Sequence, residues 1–379
     1  MPARFESVYA EYAAEKVHLK TSKANRISPR EKRKAAERRP ALDGELGLLR
    51  TIRARAVDAA QSARRSAGTV RLGIGDDCAL LRPGAGDELA VTTDLSIEGR
   101  HFRLDWHPPE SVGHRTLVRG LSDLAAMGAQ PLAAFLSLGL PHALARSRGK
   151  ARPWIERFLD GLLAAAAEYR VPLAGGDLAE APVALADIVL IGSVPDGQAL
   201  LRSGAKPGDL IYVTGSLGGA AAEFERLGAS PRRFTRATAA AVGYPNVHPH
   251  LYPQPRLKQG IWLRGHGTSA AMDLSDGLST DLDHLCEESA VAAEIDATLL
   301  PLGAGATLEM ALSGGEDYEL LFTAPEAAKL ARRIAGVPVT RIGRILRRPA
   351  GQPRIALLLD GTRRALEPRG WEHFGKSRK

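Results

Sequence analysis

Acidic residues recur along the chain beside glycines and hydroxyls, at the ends of apolar runs. They fall in GIGDDCALL (73–81), VTTDLSIEGRHF (91–102), LSDLAAMGA (121–129), GGD (175–177), MDLSDG (272–277) and SGGEDYELLF (313–322). Six such clusters across 250 residues predict carboxylates converging on hard divalent cations, which take oxygen ligands. Mg²⁺ held by carboxylates and kept partly hydrated usually serves to hold the phosphates of a nucleotide. The chemistry this points to is phosphoryl transfer.

Each cluster also has a plainer reading. Gly73-Ile74-Gly75-Asp76-Asp77 follows a strand, where adjacent side chains face opposite ways, so one Asp is a ligand and the other structural, or the whole is an ordinary turn. Thr92-Thr93-Asp94 offers two hydroxyls and a carboxylate where a strand ends, the usual place for ligands in α/β sheets. Asp123 sits in a small, apolar helical stretch and needs either a cation or a salt bridge to Arg115 or Arg119, because a lone buried carboxylate is costly. The glycines of Gly175-Gly176-Asp177 would let a phosphate approach the backbone. Ser275 or Asp276 fits a helix cap, which leaves Asp273 unexplained. There is no GxxxxGK[ST], GxGxxG or HExxH, nor the HRD and DFG elements of protein kinases, and His248 and His250 lack the companions of a zinc site.

The elements that must position these residues alternate between strand and helix. A helix is expected from Leu42; strands over TVRLGIG and DELAVTTDL; a helix over 109–128; a strand at AAFLSLGLP; a helix over 153–170 with Pro at its first turn; and strands at VPLAGGD and VALADIVLIGSV. RSGAKPGD (202–209) marks a break. Beyond it, LIYVTGSLGGAAAEFERLG reads as strand, glycine turn and helix; AAMDL runs into the helix LSTDLDHLCEES; AEIDA, YELLFTA and VTRIGRIL are strands; NVHPHLYPQPR (246–256) is a loop. The expected class is α/β (α+β) with a basic tail over 1–41, an N-terminal domain over 42–200 and a C-terminal domain over 201–379.

With 379 residues, 44% of them hydrophobic and 25% charged, the chain is ordinary for a globular protein of two or three domains. Only Cys78 and Cys286 occur, so a disulfide framework is not expected and a reducing compartment, the cytoplasm, fits. No apolar stretch is long enough to span a bilayer. Residues 1–40 carry eleven Lys/Arg against five Asp/Glu, a balance of +6 that leaves only +2 of the chain's +8 for the rest. This segment reads as a solvated tail, with contact to RNA or an anionic surface as the sharper alternative. Glu6, Glu11 and Glu15 argue against a transit peptide, and no signal-peptide core is seen.

In order, GIGDDCALL, TTD…GRHF, LSDLAAMGA, GGD, RSGAKPGD, DLSDG, SGGEDYEL and GWEHFG resemble thiamine-monophosphate kinase, of the superfamily that includes aminoimidazole ribonucleotide synthetase, over roughly residues 43–376. The resemblance implies a two-domain aminoimidazole ribonucleotide synthetase-like fold that dimerises through its N-terminal sheet domain. It implies ATP-dependent phosphorylation of thiamine monophosphate to thiamine diphosphate, with several Mg²⁺ ions in a cleft between the domains and no phosphoenzyme. Carried over by position, the metal ligands are Asp77, Thr92, Thr93, Asp94, Asp123, Asp177, Asp273 and Asp276. Gly176, Arg202 and Ser275 would contact ATP, and His101, Glu316 and Trp371 the thiamine phosphate. Gly120 stands where many members have Asn, which puts the support of Asp123 in question, and the tail has no counterpart. The alternatives are another ATP-using member of the superfamily, or a degenerate nucleotide-binding protein with an RNA-contacting tail. Selenophosphate synthetase would need a reactive Cys near the N-terminus, and no Cys precedes Cys78. A degenerate site would have lost carboxylates that are all present here.

Overall fold

The computed structural model describes residues 51–56, 58, 70–72, 80–146, 152–229, 248–348 and 353–371. The basic tail and the Gly73–Asp77 turn, with Asp76, Asp77 and Cys78, lie outside the described residues.

Four strands form the N-terminal sheet: β1 (Asp87–Ile97), β2 (Gln130–Leu140), β3 (Leu173–Glu180) and β4 (Leu185–Pro195), in the order β1-β4-β2-β3. β4 runs antiparallel to both β1 and β2, while β2 and β3 are parallel. The parallel pair needs a crossover, which α2 (Trp154–Tyr169) supplies. Helix α1 (Pro109–Ala126) lies between the sheet and α2 and is buried almost all round. That depth rests on glycine. A Cβ at Gly113 would stand 1.9 Å from the Phe158 carbonyl oxygen, and one at Gly161 1.8 Å from that of Glu110, so the two helices meet backbone to backbone.

Alternation along β4 buries Ala186, Ile188 and Leu190 beneath α1 and leaves Asp187, Val189 and Ile191 on the opposite face. No helix or strand among the described residues packs on that outer face, where β1 exposes Leu89, Val91 and Leu95.

The second sheet is mixed. Its strands are β5 (Leu210–Thr214), β6 (Ala270–Asp273), β7 (Ala292–Asp296), β8 (Leu320–Ala324), β9 (Val337–Leu346), β10 (Ile355–Leu359) and β11 (Thr362–Ala365). Their order is β11-β10-β7-β9-β5-β8-β6, with Arg333–Ile334 pairing off β9. Helices α3 (Gly219–Ala229), α4 (Leu257–Arg264), α5 (Leu278–Glu288) and α6 (Leu308–Ser313) accompany it. Its core gathers Ile211, Val213, Leu282, Leu285, Cys286, Ile295 and Ile342. Cys286 is part of this core.

From β1 to β9 the strands fall where expected, while most of the helix expected from Leu42 and of the strand TVRLGIG lies outside the described residues. The expectation missed α4, at the end of the Pro-rich loop, α6, and the β10–β11 hairpin. That hairpin carried its own signal: Asp360-Gly361 joins paired Leu359 and Thr362, with φ of 51° and 72° as a type I′ turn requires. Among the described residues no helix is long and apolar enough to cross a membrane.

Candidate active site

A cleft of about 320 Å³ lies between the N-terminal sheet with α1 and the C-terminal sheet. Strand alternation decides what β1 sends into it. Thr92 and Asp94 point toward α1, where the Thr92 hydroxyl donates to Asp123 Oδ2 at 2.5 Å and Asp94 pairs with Arg119 at 2.7 Å. Thr93 points the other way and donates to Asp187 at 2.9 Å, so its side chain is not in this cleft. Asp123 comes from the last turns of α1, and Asp273 ends β6. Ser122 donates to Asp273 at 2.7 Å, tying the helix of one half to the strand of the other.

Asp94, Asp123 and Asp273 therefore reach one cleft from three elements. Burial pushes Asp94 up to about 6, with Arg119 pulling it down and Asp123 adding to the rise. Burial, then the charge of Asp123, pushes Asp273 up to about 7. Asp123 is raised by burial against the Thr92 hydrogen bond and the charge of Arg202. Buried carboxylates that repel one another fit an oxygen-ligated cation, which removes the repulsion. Among the described residues no three acidic, His or Cys side chains close on a single point.

The opposite side of the cleft is built around Glu316. Its backbone has φ 67°, and Tyr318 two residues on has φ 52°, so SGGEDYEL runs through two left-handed non-glycine positions. Glu316 takes 2.6 Å from Arg115 and 3.1 Å from His250 Nδ1. Burial alone would raise its pKa, but Arg115 and then His250 outweigh it and hold the carboxyl well below the usual range. Arg115 also donates to the His250 and His101 carbonyls. Behind His250, its Nε2 lies 2.9 Å from His107 Nε2, and His107 Nδ1 is 3.1 Å from the Arg103 N–H. The tautomers that let His250 donate to Glu316 run Arg103 N–H to His107 Nδ1, His107 Nε2–H to His250 Nε2 and His250 Nδ1–H to Glu316. The reverse tautomers have His107 Nδ1–H donating to the Arg103 carbonyl at 3.2 Å and His250 Nδ1 accepting from Arg115 at 3.1 Å, and they leave Glu316 without its histidine donor. Both imidazoles are neutral in either arrangement, in keeping with burial pushing His107 down to about 2 and lowering His250.

Buried Glu223 completes the scaffold by accepting from the His250 and Leu251 N–H groups at 2.8 and 3.3 Å and from His248 Nδ1 at 2.6 Å. The two histidines of the Pro-rich loop are thus held by one glutamate and do not form a metal pair.

Ser275 and Asp276 line the cleft on a loop fixed by a residue the sequence reading passed over. Asp281 Oδ2 accepts from the Ser275, Asp276 and Gly277 N–H groups at 3.1, 3.1 and 3.0 Å. The Trp371 N–H donates to the Asp276 carbonyl at 3.1 Å, which docks the C-terminal segment beside the same loop.

Of the residues singled out from sequence, Asp94, His101, Asp123, Asp273, Ser275, Asp276, Glu316 and Trp371 line the cleft, Thr92 supports Asp123, and the Arg202 charge reaches Asp123 and Asp273. Gly176 and Asp177 do not join them. They lie on β3, at the far edge of the sheet from β1, about 14 Å away at ordinary strand spacing. Asp177 is exposed and shares the outer face with Asp187 and Thr93, in register through Ser137. Gly120 faces the sheet, where a Cβ would stand 2.8 Å from Leu190 Cδ1, so its lack of a side chain serves α1 packing rather than Asp123. Sequence reading also missed His107, Glu223, Phe224 and Tyr318. Arg115 and Arg119 entered it only as salt-bridge partners for Asp123, whereas Arg115 holds Glu316 and Arg119 holds Asp94, with Nε buried and unpartnered.

Comparison with known proteins bears on the same residues. AIR synthase related protein, N-terminal domain, matches residues 75–194, and the corresponding C-terminal domain matches 206–355. The thiamine-monophosphate kinase of Escherichia coli (strain K12) is 40% identical over 343 residues, covering 87% of this chain and 98% of that protein. The crystal structure of thiamine-monophosphate kinase from Stenotrophomonas maltophilia K279a superposes with a TM-score of 0.65 at 36% identity, over 81% of this chain and 96% of that one. AaThiL complexed with AMPPCP and TMP gives a TM-score of 0.64 at 30% identity, over 87% and 97%.

Proposed function

The chain belongs to the AIR synthase-related family and, within it, to the thiamine-monophosphate kinases; from that membership we infer that it phosphorylates thiamine monophosphate with ATP to give thiamine diphosphate and ADP. The observation that carries this reading is the convergence of Asp94, Asp123 and Asp273 on the cleft that also holds Glu316 and Trp371. An anion-binding machine and a receptor for a cationic ring share one cavity.

The γ-phosphoryl group passes from ATP to a phosphate oxygen of thiamine monophosphate. The P–O bond to ADP breaks as the new bond forms, and ADP leaves with the electron pair. The acceptor oxygen is already ionised, so the protein needs no strong base. Its task is alignment and neutralisation of charge. Asp94, Asp123, Asp273 and Asp276 would hold Mg²⁺, which when bound screens the phosphates from one another. Arg119 and Arg202 add fixed positive charge at the same end. Glu316, kept ionised by Arg115, attracts the thiazolium or aminopyrimidine, and Trp371 offers a ring face to it.

We further infer a homodimer, which also accounts for Gly176 and Asp177. Among the described residues the sheet has two open edges, β1 and β3, and an uncovered apolar face with Leu89, Val91 and Leu95. A twofold partner that pairs its β3 edge against β1 closes both edges and covers that face. It would bring the partner's Asp177 beside Thr93 and Asp94. In this reading residues 42–200 form the dimerising, metal-holding domain and 201–379 complete the cleft, with 1–41 the basic tail. Cysteine usage supports a reducing compartment, the cytoplasm.

The test is direct. Purified protein with ATP, Mg²⁺ and thiamine monophosphate yields thiamine diphosphate by chromatography, and chelation of the metal stops it. ATP binding without product would point to another acceptor and overturn the reading.

A further inference from the structure

Trp371 is not the only ring offered to the cleft. Phe224, on α3, lines the same cavity and is 44% exposed, against 50% for Trp371. Scattered apolar side chains on a surface need no explanation, but two half-bare aromatic rings do in a cavity whose other walls are mostly Asp, Arg, His and Glu, with Ala220, Ala221 and the buried Tyr318 beside them. Phe224 is also firmly placed. Its ring lies 5.4 Å from Trp106, tilted by 52°, and 5.2 Å from His250 in an edge-on contact of 61°. Arg103 in turn covers Trp106 at 4.5 Å. The residue before Phe224 is the buried Glu223 that anchors the His250 backbone.

One residue, His250, therefore positions two chemically different groups: its ring backs Phe224, and its Nδ1–H holds Glu316. An aromatic face beside an ionised carboxylate is a receptor for a flat heteroaromatic ring of positive character. Of the two substrates, only the phosphate acceptor carries such a cation. We propose that Phe224 is a specificity-determining contact for the rings of thiamine monophosphate, acting with Trp371 in the same cleft. The proposal rests on the kinase reading above and adds a residue that the resemblance does not assign.

The experiment is steady-state kinetics on wild type and on Phe224→Ala, Phe224→Leu and Phe224→Trp, each checked by thermal melting. Phe224→Ala raises KM for thiamine monophosphate about tenfold, a stacking contact's worth, with kcat and KM for ATP nearly unchanged. Phe224→Leu, which keeps apolar volume without the ring, recovers only part of this, and Phe224→Trp recovers most. An active wild type with an unchanged acceptor KM in both Phe224→Ala and Phe224→Leu overturns the proposal alone. An equal rise in KM for ATP overturns it too, since the contact would then be general packing. A wild type that makes no thiamine diphosphate overturns the kinase reading, and this proposal with it.

Discussion

Arg115 donates to Glu316 at 2.6 Å across 201 residues of sequence, and it is the arginine that is sealed from solvent, not the glutamate. The pair joins α1 to the SGGEDYEL loop, and so joins the two halves of the cleft. Glu316 keeps one side open to the cavity while its charge is supplied from behind.

Removing either partner should therefore separate stability from binding. Arg115→Met strands a carboxylate that retains some water, so a loss of about 2–3 kcal/mol is expected, below the full cost of breaking a sealed pair. The melting temperature should fall by about 5 °C or more. Glu316→Gln leaves a neutral acceptor for Arg115 and should melt closer to wild type. It should raise KM for thiamine monophosphate about tenfold or more while KM for ATP stays put. Parallel melting curves and two-substrate kinetics decide it; equal losses of stability in both variants would make Glu316 a structural residue.

Glu316 entered through the resemblance carried by SGGEDYEL, and why the cleft aspartates could be read locally while Glu316's partners could not is a matter of range. Asp94, Asp123 and Asp273 end strands or interrupt apolar runs, and that local conflict flags them. Thr93 shares the string TTD with Thr92 and Asp94, but period two sends its side chain to the other face. Asp281 was within local reach, four residues past Gly277, where a carboxylate can gather the free N–H groups of the turn. His250 and Glu223 were not: one lies in a Pro-rich loop, the other inside an ordinary amphipathic helix, and only packing makes them one network. The same holds for the helix contacts, since nothing in the string around Gly113 announces that the Phe158 carbonyl will sit against it.

His114 gives a pH test on a residue that bonds none of the cleft carboxylates. It is buried, its Nε2 bonds the Pro253 carbonyl at 2.8 Å, and burial lowers it to about 4 from an ordinary 6.5. Below pH 6.5 the unfolded chain takes up a proton that the folded site refuses until about 4. Stability from this residue is therefore present above 6.5 and lost as pH falls toward 4, by up to about 1.4 kcal/mol per pH unit. Raised carboxylates elsewhere titrate in the opposite sense, so the measurement is a difference. His114→Gln keeps a donor for Pro253 and lacks the titration. Urea unfolding of both proteins from pH 7 to 4.5 should show the gap moving in favour of the variant. A gap that stays flat would mean His114 is protonated in the fold.

The position of Asp177 yields the sharpest prediction, because two arrangements give opposite results. Alone, Asp94→Asn and Asp177→Asn should each lower kcat by roughly 10²–10³, the scale of losing one preorganised electrostatic contact, without unfolding. If each site draws Asp94 from one protomer and Asp177 from its partner, a mixed dimer of the two variants concentrates both lesions in one site and leaves the other intact. Random exchange makes half of all dimers mixed, so mixing the two nearly inactive proteins should restore about a quarter of wild-type turnover. If both residues served a site within one chain, every site in every dimer would carry a lesion and mixing would restore nothing. The strand order already weighs on the choice. With β4 and β2 lying between β1 and β3, no side-chain rotation brings Asp177 to Asp94 within one copy, so the proposed twofold pairing of β3 against β1 is the arrangement under test.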